Sequence, residues 1–499
     1  MDRKIVKNYI YNILYQLVKI ILPFILVRYT SVHIGKDALG IYNYAGSIMN
    51  WFILFGILGV NTYGNRQIAK VRDDEKLRNT TFFEILAMQI TNMMIAMIAF
   101  YIFIHFAVDK NAFYWKLTGL TMLASMLDIS WFFFGMEDFK KASIRNIIVK
   151  CVGVFLIMTL CKTPDDLWLY ILINVGSELF GQAIMFLQLR EYLSFEKISL
   201  KDAYKHHFWA TFQLFVPTIA ISVYTMLDQT MVGALYAEDH VTYYMTSMNI
   251  VKMFLLLITS IGSVMLPRVT NVVYNDENGD EKAQHYIAAT MKFSMMLALP
   301  MCFGMMSIAQ PFLSWYLPVW PIIPTLVIMG CPVILLISMS NVTGIQYMVP
   351  TGMYNSYSAS VIAGSCVNFL INLFLIPRYG ALGAIIGSVI AEATVTSIQM
   401  FLIRKKVRFN FLQRSYFIYV LATALMCAAV MAMRQVMPVN AFGTLAEVGA
   451  GMIVYFLVLL LSREELTQKA LDTVRNRGGK EHACDLGGGS RIQCRGLSR

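Results

Sequence analysis

Apolar runs of about twenty residues alternate with short polar links from residue 8 to residue 461. That rhythm constrains the fold more than any other feature, because a hydrocarbon core ~30 Å thick needs roughly 20 apolar residues per helical crossing. Fourteen such runs lie at about 8–29, 40–65, 81–107, 115–136, 142–161, 167–189, 209–236, 242–266, 285–309, 322–347, 356–377, 381–403, 413–434 and 442–461. A membrane β-barrel would show ~10-residue segments of alternating polarity instead. Continuous apolar runs satisfy their backbone groups internally only as helices. The chain is 57% hydrophobic and 14% charged, with a mean hydropathy of +0.58, whereas soluble domains carry about 25% charged residues. The expectation is an all-α polytopic membrane protein with fourteen transmembrane helices.

The net charge of +11 does not point to nucleic acid, because the cations are distributed by link rather than clustered on one domain. Of 41 Lys and Arg, 22 fall in the N-terminus and the links after helices 2, 4, 6, 8 and 12, and eight more follow residue 461. The opposite links and helix ends hold seven: Arg28, Lys36, Lys110, Lys116, Lys162, Arg378 and Arg434. By the positive-inside rule both termini are expected in the cytoplasm. The first apolar run is long, contains Lys19 and lacks a cleavage-site pattern, so it reads as a retained helix. Six of the eight cysteines lie in or beside apolar runs without metal-ligand spacing. No metal or cofactor motif is present, and the Gly-rich tail is expected to be disordered.

The chain repeats itself. IYNYAGS (41–47) and GVNTYGNR (59–66) bracket helix 2, much as TYYMTS (242–247) and GSVMLPR (262–268) bracket helix 8. ELFGQAIMFLQLR (178–190) and EATVTSIQMFLIR (392–404) match at an offset of 214. These offsets predict two six-helix bundles, residues 1–200 and 201–410, then two further helices over 411–465 and a tail at 466–499. Parallel repeats about an axis along the membrane normal are a carrier arrangement.

Charges within the apolar runs carry the functional argument, since each costs ~3 kcal/mol or more at mid-bilayer and usually faces a partner or a watery cavity. Lys19 extends a polar stripe with Asn8, Asn12 and Tyr15, and Lys252 shares a helix face with Thr259 and Ser263. Two deep lysines suit an anionic substrate such as a phosphate or diphosphate. Asp128, Glu178, Asp228 and Glu392 are candidate coupling or structural acids, with Lys150 as an ion-pair partner for Asp128 or Glu178. His206 and His207 read as solvated residues of a basic link. No P-loop pattern is present, and the links are too short for a catalytic domain.

NYIYNILYQLVKIILPFILVRYTSVHIGKDALGIYNYAGS (8–47) and FILFGILGVNTYGNRQIAKVRDD (52–74) resemble the start of the oligosaccharide flippases of the polysaccharide transporter family. WFFFGMEDF (131–139), LDQTMVGAL (227–235) and LIPRYGALGAIIGSVIAE (375–392) are similar to the same family. These are Wzx-like members of the MOP superfamily, which also holds MATE exporters and lipid II flippases. The resemblance implies two six-helix bundles around a central cavity and translocation of undecaprenyl-diphosphate-linked oligosaccharide across the cytoplasmic membrane. It places Lys19, Arg28, Arg66, Lys252 and Arg268 in regions where the family meets the diphosphate. Membrane lipids are the expected surroundings, and H+ or Na+ is a candidate coupling cation. The tail after about residue 478 is unlike the family. Two alternatives stay open: a MATE-like, cation-coupled exporter of cationic drugs, which would need an acid-dominated cavity, and a membrane polysaccharide polymerase, which would need a long outward loop.

Overall fold

The computed structural model describes residues 22–194, 196, 198–255, 258, 269–272, 279–407 and 409–468, the side chains of 139–144, 216–218, 220–221, 223–225 and 279–280 excepted. Among the described residues the secondary structure is helical and no strand occurs. Among the described residues, ten helical segments are long and apolar enough to cross a membrane. Two further runs are occupied by helices over Phe139–Leu160 and Trp209–Leu235, while 8–29 and 242–266 lie partly outside the described residues. Their outer surfaces explain why a membrane is required. Along α4 (Glu75–Ala107), Met94, Ile95, Ile98, Ile102 and Phe106 are all exposed, forming one apolar stripe at helical spacing. Such a patch is rare on a soluble monomer and matches contact with lipid tails.

The chain divides into two compact units. The first comprises residues 1–253, 316–330 and 358–395, and the second 254–315, 331–357 and 396–499. In the first unit, α1 (22–33) leads into α2 (Gly35–Ile57) and α3 (Val60–Val71). The 40–65 run is thus two helices, broken where Leu58 and Gly59 take φ of 49° and 78°. The 115–136 run is broken further, into α5 (Ala112–Gly119), α6 (Thr121–Met126) and α7 (Ser130–Gly135). Broken helices within a membrane must have their freed carbonyls satisfied again. Here the fully buried Gln89 does so: its Nε2 lies 3.3, 3.1 and 2.9 Å from the carbonyls of Ser125, Met126 and Asp128. Its Oε1 accepts from Trp131 Nε1 at 3.0 Å. Trp131 in turn fits only because residue 64 is glycine, since a Cβ there would stand 2.5 Å from the indole. α8 (Phe139–Leu160) and α9 (Leu167–Leu189) complete this part, with a core of Phe82, Ile85, Trp131, Phe132, Phe133 and Met185.

α10 (Leu200–Ala203) passes through a π-helical turn, Tyr204–Phe208, into α11 (Trp209–Leu235) and then α12 (Glu238–Met253). α2 and α12, whose opening motifs match in the sequence, touch directly. Asn43 Nδ2 donates to Thr242 Oγ1 at 2.9 Å, and Lys36 pairs with Asp239 at 2.9 Å.

α13 (Gly279–Tyr316) is 38 residues long and contains Pro300 and Pro311. The 322–347 run is α14 (Ile323–Gly330), α15 (Pro332–Ser340) and a π-helical stretch, Asn341–Met348. α16 (Tyr354–Tyr379), α17 (Ala381–Ile403), α18 (Arg414–Arg434) and α19 (Ala441–Leu461) follow. Within the second unit, Thr343 Oγ1 donates to Gln399 Oε1 at 2.7 Å. Tyr455 donates to the Met296 carbonyl at 2.6 Å, which fastens α19 to α13. Of the cysteines among the described residues, Cys161, Cys302 and Cys331 are buried, Cys427 is half-buried, and Cys151 and Cys366 are exposed.

Candidate functional site

The first unit holds two polar assemblies at membrane depth. One is a cavity of about 830 Å³ lined by Asp128, Arg145, Lys150, Asn174, Glu178 and Gln182, among others. The helix break at residues 127–129 forms one wall, and there Asp128 Oδ1 accepts from Ser130 N at 2.9 Å. α8 and α9 supply the facing cations and acids. Arg145 is buried and donates to Gln182 Oε1 at 3.0 Å and to Asn146 Oδ1 at 2.5 Å. Lys150 and Glu178 are exposed to the cavity space. The expected ion pair of Lys150 with Asp128 or Glu178 does not form: all three share the cavity, and none of the salt bridges among the described residues joins them.

The other assembly is closed. Asp228 of α11 is 3% exposed. Its Oδ2 accepts from Tyr244 Oη at 2.5 Å and lies 2.6 Å from Ser388 Oγ, and its Oδ1 accepts from Asn372 Nδ2 at 2.5 Å. Asn368, one turn before Asn372 on α16, is fully buried beside it, with 3.2 Å between Asn372 Nδ2 and Asn368 Oδ1. Asn372 reaches this place because residue 387 is glycine; a Cβ there would stand 2.1 Å from Asn372 Oδ1. Among the described residues the partners of Asp228 are all neutral. Asn372 Oδ1 has no hydrogen-bond partner there either. A buried carboxylate held only by neutral donors is a costly arrangement, and a buried unsatisfied acceptor beside it adds to the cost.

The remaining expected residues fall in several places. Arg28 is exposed, with Nη1 donating to the Tyr316 carbonyl at 3.1 Å. Arg66 is exposed on α3, and Lys252 is half-buried in the last turn of α12. Glu392 is buried on α17, one turn beyond Ser388, whereas Glu178 opens to the cavity, so the two matched acids have different surroundings. Lys19 and Arg268 lie outside the described residues. The solvated reading of the adjacent histidines is corrected for His207, which is buried against Glu84 and Tyr63, while His206 is exposed.

The sequence pattern of the family described as polysaccharide biosynthesis protein matches residues 5–273, more than half of the chain. The chain belongs to this family. Relatives named as O-antigen transporters agree with it. The one from Escherichia coli (strain K12) is 20% identical over 404 residues, covering 80% of this chain and 96% of the relative. The one from Shigella dysenteriae is 22% identical over 355 residues, covering 68% and 84%. Among solved structures, the lipid II flippase MurJ in an inward closed conformation matches with a TM-score of 0.72 at 14% identity, covering 92% of this chain and 100% of that one. An inward-facing multidrug resistance MATE family transporter of the MOP superfamily matches with a TM-score of 0.59 at 12% identity, over 78% and 94%. At such identities the likeness is one of fold. This member of the polysaccharide biosynthesis family is therefore a multi-pass helical membrane protein with a fold like those of MurJ and the MATE transporter.

Sequence reasoning missed Gln89, Tyr244, Asn368, Asn372 and Ser388. One local signal was available: Asn368 and Asn372, four apart in an apolar run, must share a helix face.

Proposed function

We propose that this protein translocates a polyprenyl-diphosphate-linked oligosaccharide from the inner to the outer leaflet of the cytoplasmic membrane by alternating access between two six-helix bundles, residues 1–200 and 201–410. The observation that carries the reading is membership of a polysaccharide biosynthesis family on a MurJ-like carrier fold. The direct contact of α2 with α12, the two helices whose motifs repeat, supports a two-bundle carrier. Lys19, Arg28, Arg66, Lys252 and Arg268 supply the cationic contacts for the diphosphate, and both termini lie in the cytoplasm.

The Asp228 assembly supports coupling to H+ or Na+. Its carboxylate, the amide oxygens of Asn368 and Asn372 and the Ser388 hydroxyl are a hard oxygen set, and buried backbone and side-chain oxygens of this kind serve coupling ions in carriers. A proton or a monovalent cation would neutralise the buried charge. A MATE-like exporter of cationic drugs fits less well, because the cavity mixes Arg145 and Lys150 with its acids.

The test is complementation of a flippase-null strain that makes a defined repeat unit. Wild-type protein is expected to restore surface polysaccharide. Lys19→Ala and Lys252→Ala are expected to lower export at normal membrane abundance, with Lys→Arg milder because the charge is kept. Lack of rescue by abundant wild-type protein sinks the substrate assignment. For orientation, external thiol labelling is expected at cysteines placed in 237–241 and not at those in 67–79; the reverse pattern overturns the topology.

A further inference from the structure

Outside the two assemblies at membrane depth, Glu84, His206 and His207 bring one ligand atom each to a common point, all within 4.8 Å of one another. Glu84 Oε2 lies 2.8 Å from His207 Nε2 and 3.3 Å from His206 Nδ1. We propose that these three side chains form a binding site for one divalent transition-metal ion of the zinc class.

The local backbone makes this convergence unusual. Successive residues of an α-helix point about 100° apart, so adjacent histidines do not normally reach one atom. Here both lie in the π-helical turn Tyr204–Phe208, a wider turn that recurs at functional sites. His206 uses its near nitrogen and His207 its far one, which compensates for their different starting positions. Ligands at zinc-to-nitrogen and zinc-to-oxygen distances of ~2.0–2.2 Å stand roughly 3.4 Å apart in a tetrahedron. The two separations to Glu84 Oε2 therefore need shifts of only a fraction of an ångström, and the two imidazole nitrogens lie within 4.8 Å of each other. Two imidazoles and one carboxylate favour zinc-class ions over Mg²⁺ or Ca²⁺, which prefer all-oxygen sets.

The surroundings fit as well. His207 Nδ1 is 2.8 Å from Tyr63 Oη, the kind of outer hydrogen bond that orients a ligating imidazole. Burial holds His207 below the usual imidazole range, its hydrogen bond to Glu84 opposing. Glu84 and His207 are buried, while His206 is half open to solvent, leaving an entry path and a fourth position for water. An ion here would fasten the turn leading into α11 to α4, with α3 held through Tyr63. This goes beyond the proposed transport activity and does not depend on it.

The experiment uses the full chain purified in detergent with a histidine-free affinity tag. The tail residues His482, Cys484 and Cys494 are replaced by Ala or Ser so that they cannot contribute ligands. After chelator stripping, zinc is titrated against a chromophoric chelator, and cobalt is substituted to read coordination from its visible absorption. The expected result is one zinc per chain, a tetrahedral cobalt spectrum and a rise in thermal midpoint on adding zinc. His207→Ala and Glu84→Gln are expected to abolish all three. The exposed His206→Ala, which leaves the buried pair intact, is expected to bind at least ~10-fold more weakly, and Tyr63→Phe ~10-fold more weakly. Absence of stoichiometric zinc on the folded protein overturns the proposal, as does binding unchanged in His206→Ala.

Discussion

Two carboxylates of the first unit meet the same problem in opposite ways. Asp228 is closed off and held by hydroxyl and amide donors from α12, α16 and α17. Asp128 sits at a helix break on the wall of an open cavity that also holds Arg145, Lys150 and Glu178. The first arrangement holds the carboxyl group at fixed geometry and leaves a neighbouring acceptor unsatisfied. The second lets water and opposite charges share the cost. A site that exchanges an ion needs the first kind of environment, since only there does one bound charge change the energy of a packed assembly by several kcal/mol. An open, charge-balanced cavity tolerates single changes.

This contrast breaks first at Asp228. Asp228→Asn is expected to lower ion-dependent transport by roughly 5- to 150-fold, the range of a typical coupling free energy, at normal abundance. Asp228→Ala is expected to lose stability in addition, because each abandoned buried donor costs ~1–3 kcal/mol. Normal ion-dependent transport in Asp228→Asn removes the coupling assignment.

Gly387→Ala tests the closed site without removing a polar group. The new methyl would stand 2.1 Å from Asn372 Oδ1, and overpacking of this kind costs about 1–3 kcal/mol. A lower thermal midpoint and weakened ion dependence are expected together. An unchanged midpoint would show that α16 and α17 can separate freely, contrary to a rigid site.

The smallest effect belongs to the open cavity. Glu178→Gln preserves size on a side chain that faces open space, and its stability change is expected within ~0.5 kcal/mol. Thermal melts of this variant beside Asp228→Asn measure the contrast directly. A large loss in Glu178→Gln would mean that its carboxylate closes on Lys150 or Arg145 during the cycle.

Much of the fold was legible because crossing a bilayer is a local demand. Run length, apolar content and the absence of alternation are properties of neighbouring residues, and they imply a helical membrane protein without any tertiary information. The breaks were less legible. GILGVN at 56–61 signals a turn through its glycines, but the interruption at 127–129 depends on Gln89, almost forty residues earlier and readable only as one polar residue in an apolar helix.

The intramembrane charges show the same division. Asp128, Glu178 and Asp228 stand out in the sequence because each is expensive in lipid, yet nothing local says which meets water and which meets donors. That was decided by packing: Gly387 admits Asn372, Gly64 admits Trp131, and a π-helical turn points two neighbouring histidines at Glu84. The sequence by itself therefore determined that this chain is a helical membrane protein and which side chains are costly there, since both follow from transfer energies of single residues and short runs. Only the tertiary structure decided which of those charges is enclosed, which is exposed and which share a ligand point, since that depends on close approaches between helices far apart in the chain.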